Sequence, residues 1–398
     1  MASARNVMVV DAVRSPIGKR NGSLADVPAP ELLGQVLSSL VERTGIDPGR
    51  VDHVVGGNVI QVGSQSGNVI RNSWLVAGLP MQVPAVTVNT QCGSSQESIT
   101  LAHALIGSGL VDVAVACGVE TMTRIPMGSN APSEPDYGSP RGGRYPDFYE
   151  PTTQFEGAER IAERWNIGRD QTDAFGLRSQ ALAAAAWAEG RFDRQIVPVQ
   201  IETRNDQGET VGASSLSRDE GLRPTSPEGL AGLRTNPRQL ADRPSVHTAG
   251  TSSQISDGAA ATLLVAEEKL AELSLSARAR LVDSILVGSD PVLMLTGPIP
   301  ATRGMLHRTG LSLDDIDLFE VNEAFASVVL AWQKELGVDP DKVNPNGGAI
   351  ALGHPLGATG VVLATKAIDE LERQGTRRAL VSMCCGGGLG TGTIIERL

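Results

Sequence analysis

The chain of 398 residues carries 34 basic and 45 acidic residues, and the resulting net charge of −11 disfavours nucleic acid or an anionic membrane as the main partner. Its longest alanine-rich apolar run, 181–188, is far shorter than the roughly 20 residues of a membrane span, so we expect no membrane partner. The four cysteines form no Cys-x-x-Cys pair, and the first residues lack a charged segment followed by an apolar one, which together favour a cytoplasmic protein with reduced thiols.

The first part of the chain alternates between strand-like and helix-like segments. The pattern predicts strands at 7–13, 51–59, 84–89 and 111–117, and helices at 67–78 and 94–108. Strands that alternate with helices are typical of an α/β layered architecture. We therefore expect an α/β fold in this part of the chain.

Residues 121–251 have a different composition, rich in Pro, Gly, Ser and Arg, with helical stretches at 157–165 and 172–190. A long, partly irregular insertion in a compact chain is usually functional, such as a lid or a binding loop. The alternative is a solvated linker, which the two helical stretches inside the insertion disfavour.

The last part of the chain repeats the pattern of the first, with a strand at 316–322, a helix at 358–374 and a strand at 378–384. Asp52 precedes Cys92 by 40 residues, and Asp317 precedes His354 by 37. We expect Cys92 and His354 each to lie in a glycine-rich loop between a strand and the next helix. Two similar halves that face each other would bring both loops to one site, which suggests a duplicated fold.

Cys92 directly precedes the helix predicted at 94–108. A cysteine at a helix N-terminus faces free backbone N–H groups and the positive end of the helix dipole, both of which favour the thiolate. The thiolate is the nucleophilic form, and the same N–H groups can bind an oxyanion. The alternative is that Cys92 is a small core residue, since unpaired cysteines are commonly buried.

Three further positions could carry chemistry. His354, followed by Pro355, lies in a loop rich in Gly and Pro that lets a ligand approach closely. Asn322 lies where a strand is expected to turn into a helix, so its amide could donate into a pocket. The pair Cys384-Cys385 is followed by three glycines, whose N–H groups could bind an anion. A metal site is disfavoured because the cysteines lack ligand spacing and no second histidine lies nearby in sequence.

These motifs together resemble the thiolases, or acetyl-CoA C-acyltransferases, and the resemblance covers essentially the whole chain. Four blocks carry it: Gln-Cys-Gly-Ser-Ser at 91–95, Asn-Glu-Ala-Phe-Ala at 322–326, the glycine-rich segment 347–360, and Cys-Cys-Gly-Gly-Gly at 384–388. A fifth block, 248–260, is similar to the loop of this family that contacts the pantetheine of coenzyme A. The four blocks in this order are highly specific.

The resemblance implies a duplicated α/β fold, in which two similar halves form five layers in the order α-β-α-β-α and carry an inserted loop domain. The implied boundaries are 1–121, completed by 252–275, for the N-terminal half, 122–251 for the loop domain that covers coenzyme A, and 276–398 for the C-terminal half. It further implies a homodimer or homotetramer.

The resemblance also assigns roles to the motif residues. Cys92 would attack the keto carbon of a 3-ketoacyl-CoA, and His354 would take its proton. Cys384 would protonate the departing enolate and then deprotonate coenzyme A. One oxyanion would be bound by His354 and a water molecule held by Asn322, the other by the backbone N–H groups of Cys92 and Gly386. Coenzyme A would be a co-substrate, with no permanently bound cofactor and no metal.

By the same resemblance, the coenzyme A site lies under the insertion. Arg223 matches an arginine that contacts the nucleotide. Ala249 and Ser253 match positions that contact pantetheine, and Ala324 and Phe325 match positions that line the tunnel. For Arg223, the alternative is an exposed, solvated charge.

The sequence departs from the short-chain biosynthetic members of the family. Thr-Gln-Phe at 153–155 replaces a His-Met pair that presses on small acyl groups, Ser-Gln-Ile at 253–255 replaces the commoner Ser-Gly-Leu, and 122–150 is distinct. These changes are similar to those of the actinobacterial steroid-degrading thiolases. They predict degradative cleavage of a medium or bulky 3-ketoacyl-CoA from fatty-acid or sterol catabolism, yielding acetyl-CoA or propionyl-CoA and a shortened acyl-CoA.

Several alternatives stay open at this point. A biosynthetic acetoacetyl-CoA thiolase would share the motifs, whereas a ketosynthase-like condensing enzyme is disfavoured by Cys384. A non-catalytic acyl-CoA or lipid-binding protein is disfavoured because all four catalytic side chains are present. A redox protein that uses Cys384 and Cys385 is disfavoured because adjacent cysteines form only strained rings. Cys117 and Cys385 are expected to be core residues.

Overall fold

The computed structural model describes residues 5–131, 138–204, 207, 210–237, 240 and 242–398, so part of the predicted insertion, including 132–137, lies outside the described residues. The elements before the insertion are β1 (Val7–Arg14), β2 (Gly18–Lys19), α1 (Ala29–Thr44), β3 (His53–Gly57), α2 (Val69–Val76), β4 (Ala85–Val88), α3 (Ser94–Gly107) and β5 (Val113–Thr121). The strands and helices predicted for this part are confirmed, with shifted ends.

The elements after β5 belong first to the insertion and then to the second half. The insertion contains α4 (Gln154–Arg164), α5 (Arg169–Ala188), β6 (Val199–Arg204), β7 (Thr210–Leu216) and α6 (Pro227–Ala231), and β8 (Ser256–Ala266) follows it. The remaining elements are β9 (Ala279–Gly288), α7 (Pro298–Thr309), β10 (Leu318–Val321), α8 (Ala326–Leu336), α9 (Ala349–Leu352), α10 (Thr359–Gln374), β11 (Arg378–Cys385) and β12 (Leu389–Arg397).

The main strands form one hydrogen-bonded sheet in the order β4-β3-β5-β8-β1-β9-β12-β11-β10. In the first half, β3 and β5 are parallel, and β8 runs antiparallel to both β5 and β1. The second half repeats this pattern, since β10 and β11 are parallel and β12 runs antiparallel to both β11 and β9. The predicted duplication is therefore confirmed for four strands of each half.

Asp52 and Asp317, whose spacing suggested the duplication, make equivalent hydrogen bonds in the two halves. The carboxylate of Asp52 accepts the backbone N–H groups of Asp112 and Val113 at 2.8 and 2.9 Å. The carboxylate of Asp317 accepts those of Arg377 and Arg378 at 2.9 and 2.8 Å. Each aspartate thus joins the beginnings of two parallel strands.

Helices cover both faces of each half of the sheet and one pair lies between the halves. α1 and α2 pack outside the first half, and α7 outside the second. α8 shares an apolar cluster with α7 and β10 on that outer side. α3 and α10 pack on each other, and each of them contacts strands of both halves. Residues 359–371 of α10 are all buried, as expected of a helix that packs on every side. The fold therefore has the predicted five layers.

The insertion contributes helices and a separate hairpin rather than strands of the large sheet. Among the described residues, β6 and β7 pair only with each other in a two-stranded sheet, and α4 to α6 pack beside the second half and its loops. β8, which follows the insertion, pairs with β1 and β5. The division of the chain at 121, 251 and 275 stays a prediction.

Glycines let the two halves approach closely at one end of the sheet. Gly57 and Gly118 lie side by side on β3 and β5. A Cβ at Gly57 would lie 2.6 Å from the carbonyl oxygen of Gly357, and a Cβ at Gly118 would overlap the same atom. A Cβ at Gly360 would overlap the backbone nitrogen of Gln96. No larger residue fits at these positions without moving the backbone.

We expect Gly118→Ala to lower the free energy of unfolding by about 1–3 kcal/mol, the usual cost of overpacking a tight contact. Gly288→Ala is the matched control, because Gly288 also lies in a strand but has no atom near its added Cβ. Thermal and denaturant unfolding of the three proteins measure the difference. Equal midpoints for Gly118→Ala and the control would contradict the close contact.

Candidate active site

Cys92 lies in a tight turn between β4 and α3. Gln91 has a left-handed backbone with φ of 55°, which turns the chain sharply just before the cysteine. The Ser94 hydroxyl stabilises this turn, because it accepts the N–H of Thr90 at 3.0 Å and donates to the carbonyl of Gln91 at 2.6 Å. Among the four cysteines, none of which forms a disulfide, Cys92 alone is partly exposed.

The Cys92 thiol is neutral in this environment. Burial is the largest effect on its pKa and raises it to about 11, although hydrogen bonds from the backbone N–H groups of Gly386 and Cys92 act in the opposite direction. The nearby Glu120 carboxylate raises this pKa further. The expectation that the start of the helix would make Cys92 a thiolate is therefore wrong for the free protein, because desolvation outweighs the N–H groups.

His354 lies between α9 and α10, and not directly after a strand as we expected, because α8 and α9 intervene. Its backbone N–H donates to the Ser256 hydroxyl at 3.1 Å. Its Nδ1 lies 2.6 Å from the Thr359 hydroxyl, which itself donates to the carbonyl of Pro355 at 2.9 Å. The hydroxyl oxygen must then accept a hydrogen bond from Nδ1–H, so that Nε2 carries the free lone pair.

Burial also keeps the imidazole neutral, since it lowers the pKa of His354 to about 4. The side-chain amide of Asn322 faces the free lone pair, with Nδ2 at 3.3 Å from His354 Nε2. Asn322 lies between β10 and α8, as predicted. Its Oδ1 is buried without a hydrogen-bond partner in the described structure, so this atom is available to a ligand or a water molecule.

Cys384 and Cys385 point to opposite faces of β11, as successive residues of a strand must. Cys384 packs in an apolar cluster with Ala324 and Phe325, whereas Cys385 packs in the core between the halves. Burial, and the charge of a Cys92 thiolate, raise the pKa of Cys384 well above its usual range. Cys384 therefore holds its proton firmly in the free protein.

The predicted catalytic residues come together where the halves meet. The N–H of Gly386 reaches the Cys92 sulfur, and Cys384 lies two residues before that glycine. Leu356, two residues after His354, packs in the same apolar cluster as Cys92. Asn322 adds the contact with His354 described above. The described contacts therefore bring together three loops and the end of β11. They carry two thiols, one imidazole, one amide and two N–H donors.

The predicted coenzyme A contacts fall into two groups. Arg223 lines a cavity of about 440 Å³ and donates to the carbonyl of Ala249 at 3.2 Å. Ser253 donates its backbone N–H to the carbonyl of Ala324 at 2.9 Å, and Ser252 forms a β-bridge with Phe325. The second group therefore connects the loop that follows the insertion directly to the cluster that contains Cys384.

A buried hydrogen-bonded pair beside this loop, formed by Glu159 and His247, was not predicted from the sequence. The Glu159 carboxylate accepts the backbone N–H groups of Val246 and His247 and lies 2.9 Å from Nδ1 of His247. The His247 ring packs edge-on against Phe325, with centroids 5.4 Å apart. The position of His247 directly before the 248–260 block was the only signal. Within the described part of the chain, no group of three or more His, Cys, Asp or Glu residues is arranged to hold a metal ion.

The raised pKa of Cys92 predicts how its alkylation depends on pH. With a pKa of about 11, the thiolate fraction and hence the rate with iodoacetamide should rise about tenfold per pH unit between pH 7 and 9. Peptide mass spectrometry assigns the modified residue, and Cys92→Ser is the control that should abolish it. A rate that levels off below pH 9 would contradict the raised pKa of Cys92.

Comparison with known proteins agrees with this geometry. The family model for the thiolase N-terminal domain matches residues 7–268, and the model for the thiolase C-terminal domain matches residues 275–397. The steroid 3-ketoacyl-CoA thiolase FadA6 of Mycobacterium tuberculosis is 47% identical, over 98% of this chain and 94% of the relative. A beta-ketoadipyl-CoA thiolase of Acinetobacter baylyi is 42% identical, over 99% of this chain and 100% of the relative.

Solved structures show the same relationship in three dimensions. The Bacillus anthracis acetyl-CoA acetyltransferase superposes with a TM-score of 0.90 at 37% identity and full coverage of both chains. Human mitochondrial 3-ketoacyl-CoA thiolase superposes with a TM-score of 0.88 at 34% identity, covering 99% of each chain. The chain therefore belongs to the thiolase family and is an acyltransferase, as its motifs predicted.

Proposed function

We propose that this protein cleaves a 3-ketoacyl-CoA with coenzyme A as co-substrate, through an acyl group carried on Cys92. The products are acetyl-CoA or propionyl-CoA and a shortened acyl-CoA, in degradation of fatty acids or sterols. The observation that carries this proposal is the arrangement at the Cys92 sulfur, where two backbone N–H groups meet and a second thiol lies close by.

The first half-reaction breaks a carbon–carbon bond. The Cys92 sulfur attacks the keto carbon while its proton passes to the free lone pair of His354 Nε2. The resulting alkoxide is stabilised by the N–H groups of Cys92 and Gly386. As it collapses, the electron pair of the broken bond becomes an enolate, whose oxygen faces the protonated His354 and Asn322. Cys384 then gives its proton to the enolate carbon, which releases acetyl-CoA or propionyl-CoA.

The second half-reaction returns the protein to its starting state. The Cys384 thiolate takes the proton of the coenzyme A thiol, whose sulfur attacks the acyl group on Cys92. The Cys92 sulfur leaves and recovers its proton from His354. Cys92 and His354 are both neutral in the free protein. In the first half-reaction, the Cys92 proton therefore moves to His354 only as the bond between the Cys92 sulfur and the keto carbon forms.

We further propose that the acyl group is medium-sized or bulky, including sterol-derived chains. Phe155 supports this assignment, because it stands in place of the residues that restrict small acyl groups and packs edge-on against Phe325 at 5.6 Å between centroids. It is 38% exposed, so an apolar acyl chain could cover it. The identity to a steroid 3-ketoacyl-CoA thiolase supports the same class of substrate.

The coenzyme A nucleotide is proposed to bind at the Arg223 cavity, with its pantetheine running past Ala249 and Ser253 to Phe325. No permanently bound cofactor is proposed. We also propose a cytoplasmic homodimer or homotetramer. Strand β4 supports assembly, because it forms an edge of the large sheet in the described structure. Val86 on this strand is 39% exposed, and Met81, four residues before the strand begins, is 70% exposed. No helix in the described ranges has the length and apolar character needed to cross a membrane.

Incubation with a 3-ketoacyl-CoA should add one acyl mass to Cys92, and added coenzyme A should remove it. Cys92→Ser should abolish the adduct and lower kcat by about 10³-fold or more, since the nucleophile is lost. Cys117→Ala is the matched control, because Cys117 is buried outside the site and should keep full activity. An unmodified wild-type protein would favour the acyl-CoA binding alternative.

A substrate series tests the acyl group separately. We expect kcat/KM for long or polycyclic 3-ketoacyl-CoA substrates to exceed that for acetoacetyl-CoA by at least about tenfold, the usual gain from a filled apolar pocket. Phe155→Ala should reduce this preference, whereas Phe148→Ala should not, because Phe148 is an exposed aromatic that does not pack on Phe325. Activity with acetoacetyl-CoA alone would favour the biosynthetic alternative.

A further inference from the structure

Glu120 is a fully buried carboxylate near the end of β5 that the reaction above does not use. Its two oxygens accept five hydrogen bonds, from the backbone N–H groups of Val59, Ile60 and Gly357 at 2.9, 3.1 and 2.9 Å and from the side-chain amides of Gln65 and Asn58 at 2.9 and 3.3 Å. A buried carboxylate that accepts five hydrogen bonds fixes the positions of the groups that donate them.

These donors come from both halves of the molecule. Val59, Ile60 and Gln65 belong to the segment that follows β3 in the first half. Gly357 belongs to the loop between α9 and α10 in the second half, which also carries His354. The Glu120 carboxylate therefore links the two halves beside the active site, at the point where the glycine contacts bring them together.

Only an ionised carboxylate satisfies this set of partners. All five partners donate, so both oxygens must accept, and a neutral amide would place its own N–H groups against at least one buried donor. Burial raises the pKa of Glu120 to about 7, against the lowering effect of the N–H groups of Val59, Ile60 and Gly357. The negative charge of Glu120 raises the pKa of Cys92 and so disfavours its thiolate. Glu120 can therefore assist the site only by holding its loops in position.

We propose that Glu120 is a positioning residue for the thiolase reaction. It holds the His354 loop, through Gly357, against Val59 and Ile60, which belong to the apolar cluster on which Cys92 packs. It touches neither the substrate nor the reacting atoms. This inference rests on the proposed function, because it assigns Glu120 a role in the same site.

Glu120→Gln tests this role with kinetics. Loss of one acceptor should let the His354 loop move, and a displacement of about 1 Å can cost about 10² in rate. We expect kcat to fall about 10²-fold and KM to stay within about threefold, since Glu120 does not contact the proposed coenzyme A or acyl positions. A variant that is only less stable, but still folded in the assay, would keep both kcat and KM close to those of the wild type.

Hydrogen–deuterium exchange supplies a readout that does not depend on activity. In Glu120→Gln, peptides that contain Val59 and Ile60 and peptides that contain Gly357 should exchange faster than in the wild type. Asp52→Asn is the matched control, because Asp52 also holds two backbone N–H groups but at the opposite end of β3 and β5. It should speed exchange only near Asp112 and Val113 and leave kcat within about threefold.

An active wild type with unchanged kcat in Glu120→Gln would overturn the inference and leave the proposed function intact, as would a loss of kcat without faster exchange at Gly357. A wild type without thiolysis would overturn the proposed function and the inference with it. If Glu120→Gln does not fold, Glu120→Asp carries the same test. Its shorter side chain cannot reach both halves, so kcat should still fall at least about tenfold, and an unchanged kcat would overturn the inference.

Discussion

The first turns of α3 and α10 touch across the boundary between the two halves, and every reacting group depends on this contact. The contact is possible because Gly360 presents no side chain to Gln96, and it is held by a hydrogen bond of 3.1 Å from the N–H of Val361 to the Ser95 hydroxyl. The loop before α3 carries Cys92, and the loop before α10 carries His354. Bringing the two helix starts together therefore brings the nucleophile and its base together.

The same close packing determines the protonation of the site. Excluding water raises the pKa of Cys92 and Cys384 and lowers that of His354, so all three groups are neutral before substrate arrives. Each charge that forms during the proposed reaction then meets a fixed donor in a dry site, where such interactions are strong. The duplicated fold supplies these donors from separate loops, because each half ends its parallel strands at the same edge of the sheet.

Much of this arrangement was predictable, and the failures share one physical cause. Strong local patterns predicted β5, α3 and α10, and the repeated spacing after Asp52 and Asp317 predicted the duplication. The sign of the Cys92 pKa shift was wrong because burial depends on the opposite half, which no local pattern describes. His354 was placed after a strand because the short helix α9 has no separate signal. Glu120 was missed because its partners at Val59 and Gly357 are distant in sequence.

The central claim is that Cys92, His354 and Cys384 line one pocket formed by both halves. A crystal structure of the acyl-enzyme with coenzyme A bound tests this claim most directly. We predict an acyl oxygen at about 2.7–3.1 Å from the backbone nitrogens of Cys92 and Gly386, with the coenzyme A sulfur next to Cys384 and His354 facing the same space. An acyl group directed away from these nitrogens, with Cys384 or His354 outside contact distance of either ligand, would contradict it.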